Sequence, residues 1–123
     1  MKLEQFQIDA RDNYVLAALW SSTDEYEHPL DDNYSVGDID AASLETMYAE
    51  CDAFIAANWE AIRATEQTAA QCGHDLWLTR NRHGVGFWDR GYPKALGDAL
   101  TEAAHLEGER YLYIGDDGKV YQA

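Results

Sequence analysis

GHDLWLTRNRHGVGFWDRG, Gly73 to Gly91, is the stretch whose reading decides the fold. It carries two of the four Trp, two of the four His and three of the nine basic residues of an acidic chain. Leu76 and Leu78 alternate with Trp77 and Thr79, and Val85 and Phe87 alternate with Gly86 and Trp88. Alternation over about four to eight residues is the pattern of a half-buried strand. Between the two runs lies Arg80-Asn81-Arg82-His83-Gly84, polar and closed by Gly, which suits a short hairpin loop. The stretch therefore reads as a β-hairpin with one face in the core. In one register Trp77 and Trp88 face outward beside Arg80 and Arg82, the composition of an interface hot spot. In the other register the two Trp are core, because a one-residue shift turns the whole set over.

Downstream, Gly91-Tyr92-Pro93 is a turn, with Pro93 at the first position of a helix. Ala95, Leu96, Ala99, Leu100, Ala103 and Leu106 trace that helix to a C-cap at Gly108. Arg110 to Ile114 alternates as a strand, Asp116-Asp117-Gly118 is a turn, and Lys119-Val120-Tyr121 returns as an edge strand. Upstream, residues 65–72 extend a helix or form a turn, with Gly73 as a C-cap. Leu44, Met47, Tyr48, Cys51, Phe54, Ile55, Asn58 and Ile62 recur at helical spacing and predict a long helix over 38–64, capped by Asp38, Asp40 or Ser43. A first helix covers 7–22, with Val15, Leu16, Leu19 and Trp20 on its apolar face and a stop at Ser21-Ser22-Thr23. Residues 23–37 are a loop, broken by Pro29 and pinned by Tyr26, Leu30, Tyr34 and Val36. The expectation is one domain over 1–123, with an acidic helical half, 1–72, and a hairpin-helix-hairpin half, 73–123. Its class is α+β: a small, mostly antiparallel sheet of about four strands with helices packed on one face.

The net charge is −14, and it is lopsided: residues 1–60 hold 14 acids and 2 bases, whereas residues 61–123 hold 9 acids and 7 bases. Such a field repels nucleic acid and membrane surfaces and attracts basic proteins. Surfaces that bind nucleic acid are basic because they neutralise phosphates, so an acidic protein can compete for them. The candidate acids are Asp24, Glu25, Glu27, Asp31, Asp32, Asp38, Glu45 and Asp52; Asp38, Glu45 and Asp52 repeat along one side of the long helix. The plainer reading is a solvated acidic surface that keeps the protein soluble or suits it to high salt. No apolar run reaches the length of a membrane span, and no apolar segment follows Met1-Lys2-Leu3-Glu4-Gln5, so the expected location is the cytoplasm, with Cys51 and Cys72 reduced.

Chemistry-bearing motifs are sparse. There is no nucleophile elbow, phosphate-binding Gly-rich loop or zinc ligand set, and the acidic loop lacks the EF-hand spacing. His74 and His83 stand at opposite ends of the expected strand, too far apart to share a metal. No catalytic residue, metal or cofactor is expected. The alternative is a small-molecule or catalytic pocket at His83, Trp88, Asp89 and Arg90 on the hairpin.

The hairpin run and the ending Gly108-Glu109, then Tyr111-Leu112-Tyr113-Ile114-Gly115-Asp116-Asp117-Gly118-Lys119, resemble small acidic proteins encoded by tailed phages, prophages and plasmids. The likeness covers Gly73 to Lys119 and brings no activity of its own. It implies a mobile-element setting, in which compact acidic proteins act as inhibitors of host defence, of the anti-restriction or anti-CRISPR kind. The expected function is thus an inhibitory binding protein, a DNA mimic whose acids compete with nucleic acid for a host nucleic-acid-binding protein. Trp77, Arg80, Arg82, His83, Trp88 and Arg90 would anchor the contact. Direct contact with nucleic acid or membrane is not expected; a homodimer is compatible with the sequence.

Overall fold

The computed structural model describes residues 2–123. The described residues form five α-helices and one two-stranded sheet: α1 Leu3–Ser21, α2 Ala41–Ala57, α3 Trp59–Thr65, α4 Ala69–Arg80, α5 Lys94–Leu106, β1 Leu112–Ile114 and β2 Val120–Gln122. The chain is thus mainly helical. The expected sheet of about four strands is reduced to the C-terminal hairpin, where β1 and β2 pair antiparallel with Tyr113 opposite Tyr121.

The decisive stretch is not a hairpin. Its first half is the C-terminal part of α4, which starts at Thr68, whose hydroxyl accepts the Gln71 N–H at 3.1 Å. Asp75 through Arg80 are all buried, so this helix presents no solvent face along its last turn and a half. A helix buried on every side shows no 3.6-residue stripe, and Leu76-Trp77-Leu78-Thr79 then imitates a strand. The expected loop is the cap of that helix. The His83 N–H donates to Leu78 C=O at 2.9 Å, the Arg82 N–H donates to Thr79 C=O at 3.0 Å, and Arg82 takes the left-handed conformation. This is a Schellman closure, with arginine where glycine is usual. The expected second strand is a 3-10 turn, Phe87–Asp89. The Phe87 N–H donates to Thr79 Oγ1, and its ring stacks on Phe54 at a centroid distance of 5.9 Å.

Gly73 is not a C-cap. It sits inside α4 where that helix crosses α1, and a Cβ there would collide with the Ala10 carbonyl oxygen. The backbone of α1 at Ala10 and Tyr14 faces Gly73, and small residues let two backbones approach closely. The buried face of α1 therefore runs through Phe6, Ala10, Tyr14, Val15, Ala17, Ala18 and Leu19. Leu16 and Trp20, expected in the core, are about half exposed at 51% and 55%.

The helix expected over 38–64 is split. α2 begins at Asp40, whose carboxylate accepts the Ser43 N–H at 3.0 Å, and ends at Asn58, whose side-chain amide donates to the Phe54 carbonyl. α3 follows and closes at Glu66 in the left-handed conformation. Met47, Cys51, Phe54, Ile55 and Ile62 are buried as the spacing requires. α5 follows the sequence more closely, with Leu100 buried and Gly108 at positive φ just past its end, but Leu106 is 84% exposed.

Gly73→Ala tests the helix crossing. The added methyl must push α1 from α4, and overpacking of this kind costs about 1–3 kcal/mol or more. The urea midpoint should drop with unchanged m-value; a midpoint equal to that of the wild type would show that the crossing has slack.

Candidate interaction surface

The acids of the α1–α2 connection divide into two groups. Some hold the loop together. The Asp24 carboxylate accepts the N–H groups of Tyr26 and His28 at 2.8 and 3.0 Å, and Asp38 accepts the N–H of Ser35 at 2.8 Å. Asp52, expected on the surface row of α2, is half-buried and paired with Arg11 at 3.0 Å. Glu25, Glu27, Asp31, Asp32 and Glu45 are exposed and enter no ion pair among the described residues. Between Arg11 and Arg63 the chain contains no Lys or Arg to neutralise them. Most of the protein's cations are occupied elsewhere: Arg11 with Asp52, Arg63 with Glu60, Arg80 and Arg110 with Glu50, Arg90 with Asp75 and Lys94 with Asp98.

The Trp/Arg/His group of residues 77–90 is dispersed rather than gathered. Trp77 is core; its indole N–H donates to Ser21 Oγ at 2.9 Å, and its ring meets Tyr14 edge-on. Arg80 is also interior, only 1% exposed. Its guanidinium donates to Tyr14 Oη at 2.9 Å, to the Gly108 carbonyl at 2.8 Å and to the Glu107 carbonyl at 2.9 Å, and it lies 3.5 Å from Glu50. Neither residue can reach a partner in the folded protein. Arg90 is bound by two bonds, at 2.7 and 3.0 Å, to the buried Asp75, and the hydrogen bond to that carboxylate raises its pKa. Arg82, His83 and Trp88 are exposed.

His83 and Arg90 line different depressions, and Trp88 and Asp89 line neither of them. His83 lines a notch of about 300 Å³ with Ser21, Trp77, Asn81 and Arg110, whereas Arg90 lines a separate shallow depression with Asn13, Gln71 and His74. No group of three or more His, Cys, Asp or Glu among the described residues is placed to hold a metal. Cys51 and Cys72 are buried free thiols; burial pushes Cys51 up to about 12 and Cys72 well above its usual range, so neither is a nucleophile near neutral pH. No helix of the described residues is long and apolar enough to cross a membrane.

In the sequence reading Tyr26 and Tyr34 only pin the loop to the core, and Tyr111 and Tyr113 have no role; Tyr26 does not pin the loop, being 72% exposed. Tyr26, Tyr111 and Tyr113 are exposed, and Tyr113 stacks on Tyr121 at 5.6 Å. Thr23 to Tyr26, Tyr34 and Leu112 to Ile114 enclose a groove of about 470 Å³ between the acidic loop and β1. The alternation of Tyr111 and Tyr113 with Leu112 and Ile114 already placed the two tyrosines on the outer face of that strand. No protein-family model matches the chain, and no curated protein or solved structure matches it.

Two measurements follow from the interior groups. Arg80→Met should cost about 3–5 kcal/mol, because it strands Tyr14 Oη and two carbonyls in the interior, whereas Tyr14→Phe should cost about 1–1.5 kcal/mol; equal losses in urea titrations would contradict the assignment of Arg80 as the hub. Burial is also the first cause raising Tyr14, so Tyr14, Cys51 and Cys72 all hold their protons more tightly folded than unfolded. Their contribution is complete below the ordinary thiol value of 9.0 and is lost as pH climbs above it. The urea midpoint should therefore fall as pH rises above 9.0 toward about 12, and a flat profile would refute the burial of these groups.

Proposed function

We propose that the protein acts by binding, as an inhibitor whose acidic α1–α2 face occupies the nucleic-acid-binding surface of a basic partner protein. The observation that carries this reading is that Glu25, Glu27, Asp31, Asp32 and Glu45 are all exposed and outside any described ion pair, in a stretch from residue 12 to residue 62 without a Lys or Arg. Charges that are already solvated and unpaired attract a basic surface without first breaking internal bonds, and they act mainly through the rate of association and its salt dependence. Asp24 and Asp38 shape the loop and add to its field, while Asp52 contributes little because Arg11 neutralises it. Arg82, His83 and Trp88 are the residues of the 77–90 group left for peripheral contact. The resemblance to proteins of phages and plasmids supplies the setting: a host defence protein in the cytoplasm, with nucleic acid as the competitor.

The test is capture from host lysate at low and high salt, followed by a nucleic-acid-binding assay on the retained protein. The expected result is a basic protein that elutes as salt rises above about 0.1 M, where exposed charges are screened within about 10 Å, and that cannot bind nucleic acid in the complex. The triple variant Asp31→Lys, Asp32→Lys, Glu45→Lys changes residues that make no described ion pair. It should weaken capture at least about tenfold with an unchanged melting temperature. Unchanged capture by the triple variant would exclude the acidic face.

A further inference from the structure

β2 is covered on both sides, whereas β1 is covered on one. On its inner side β2 pairs with β1; on its outer side Val120 bridges Ile39, its carbonyl accepts the Asp40 N–H at 2.8 Å, and the Gln122 N–H donates to Ser43 Oγ at 3.1 Å. In the hairpin, Tyr111 and Ala123 exchange two bonds, of 3.0 and 2.8 Å, and the Gly115 N–H donates to Lys119 at 2.8 Å. The antiparallel alternation makes Tyr113 and Tyr121 the pair between them, so the N–H and C=O groups of Leu112 and Ile114 point away from β2. No hydrogen bond from another described residue reaches these outward groups. Leu112 and Ile114 border the groove lined by Thr23 to Tyr26 and Tyr34, Leu112 nearly buried at 6% exposure and Ile114 half-buried.

We propose that the open edge of β1 receives an extended, arginine- or lysine-bearing segment of a partner protein as a third strand. An unpaired edge is a template for main-chain hydrogen bonds, and the adjoining side chains select the sequence that is added. Here those side chains are anionic and aromatic. Asp24 and Glu25 line the groove, Asp116 and Asp117 follow at the hairpin tip, and Tyr111, Tyr113 and Tyr121 form a row on which a guanidinium can lie. A second copy of the chain is the poorer occupant, because edge-to-edge pairing brings two molecules of net charge −14 together with the same acids face to face. The proposal rests on the acidic-face reading for the charge of its occupant and not for the edge itself.

The experiment uses two short peptides of equal charge, both alternating arginine and valine, one with every backbone nitrogen methylated. Amide exchange of the intact protein is followed by NMR at low salt. The unmodified peptide should slow exchange of the Leu112 and Ile114 amide protons at least about tenfold, and the methylated peptide should not. Ile114→Pro removes one outward N–H at an edge position that tolerates proline; with its circular dichroism unchanged, it should bind the unmodified peptide about tenfold more weakly. Equal affinity for both peptides, or saturation without slowing, overturns strand addition and leaves the acidic-face reading to its own charge-reversal test. Slowing that grows with protein concentration in the absence of peptide assigns the edge to a second copy.

Discussion

One buried guanidinium ties the fold together. Arg80 ends α4 and reaches three other parts of the chain: Tyr14 of α1, Glu50 of α2 and the two carbonyls, Glu107 and Gly108, that close α5. A charge in the interior is tolerated only when its donors are all matched, and here the partners are a hydroxyl, a carboxylate and a helix C-terminus whose carbonyls otherwise lack partners. The positive charge also suits the negative end of the α5 dipole. Glu50 in turn takes Arg110 at 3.1 Å and the Gln122 amide at 2.8 Å, so the same network positions the chain on either side of the hairpin. The hairpin and its free edge are thus held against a framework rather than hanging from it.

That network also explains which parts of the fold could be foreseen. The C-terminal hairpin was legible because its signals are local: alternation in Tyr111 to Ile114 and a Gly at the left-handed turn position, Gly118. The core positions of α2 and α3 were legible because one face of each is solvated, which leaves a stripe in the sequence. α4 was not legible. Surrounded by other elements, it carries apolar residues at consecutive positions, and its polar ones, Asp75, Thr79 and Arg80, are buried with partners 15, 8 and 66 positions away. Gly73 added to the error. Glycine inside a helix normally marks an end, but here it marks the crossing with Ala10.

The acidic surface shows the same division between composition and geometry. That the N-terminal half is acidic follows from a count of residues. Which acids are free does not, because Asp24, Asp38 and Asp40 bond to backbone N–H groups within four residues and Asp52 meets an arginine 41 positions away. The first kind is recognisable in retrospect as turn and cap chemistry. The second needs the packing of α1 on α2. The sequence therefore overstates the number of acids available to a partner while giving the sign of the surface correctly.

A strand with one bare edge is ordinarily a hazard, since it invites the edge of another molecule. β1 is short, which limits that hazard, and it stands beside the most acidic part of the chain. Like charges oppose approach of a second copy over a distance comparable with the screening length, whereas hydrogen bonds at the edge act only on contact. The two effects therefore work at different ranges. In the proposed binding, the field opposes identical molecules and favours cationic ones before the edge is reached, and the edge then discriminates by backbone shape among those that arrive. An acidic loop and an unpaired strand, unremarkable separately, become selective through being adjacent. Their adjacency is fixed by Val120, which pairs with Ile114 on one side and with Ile39, next to the start of α2, on the other.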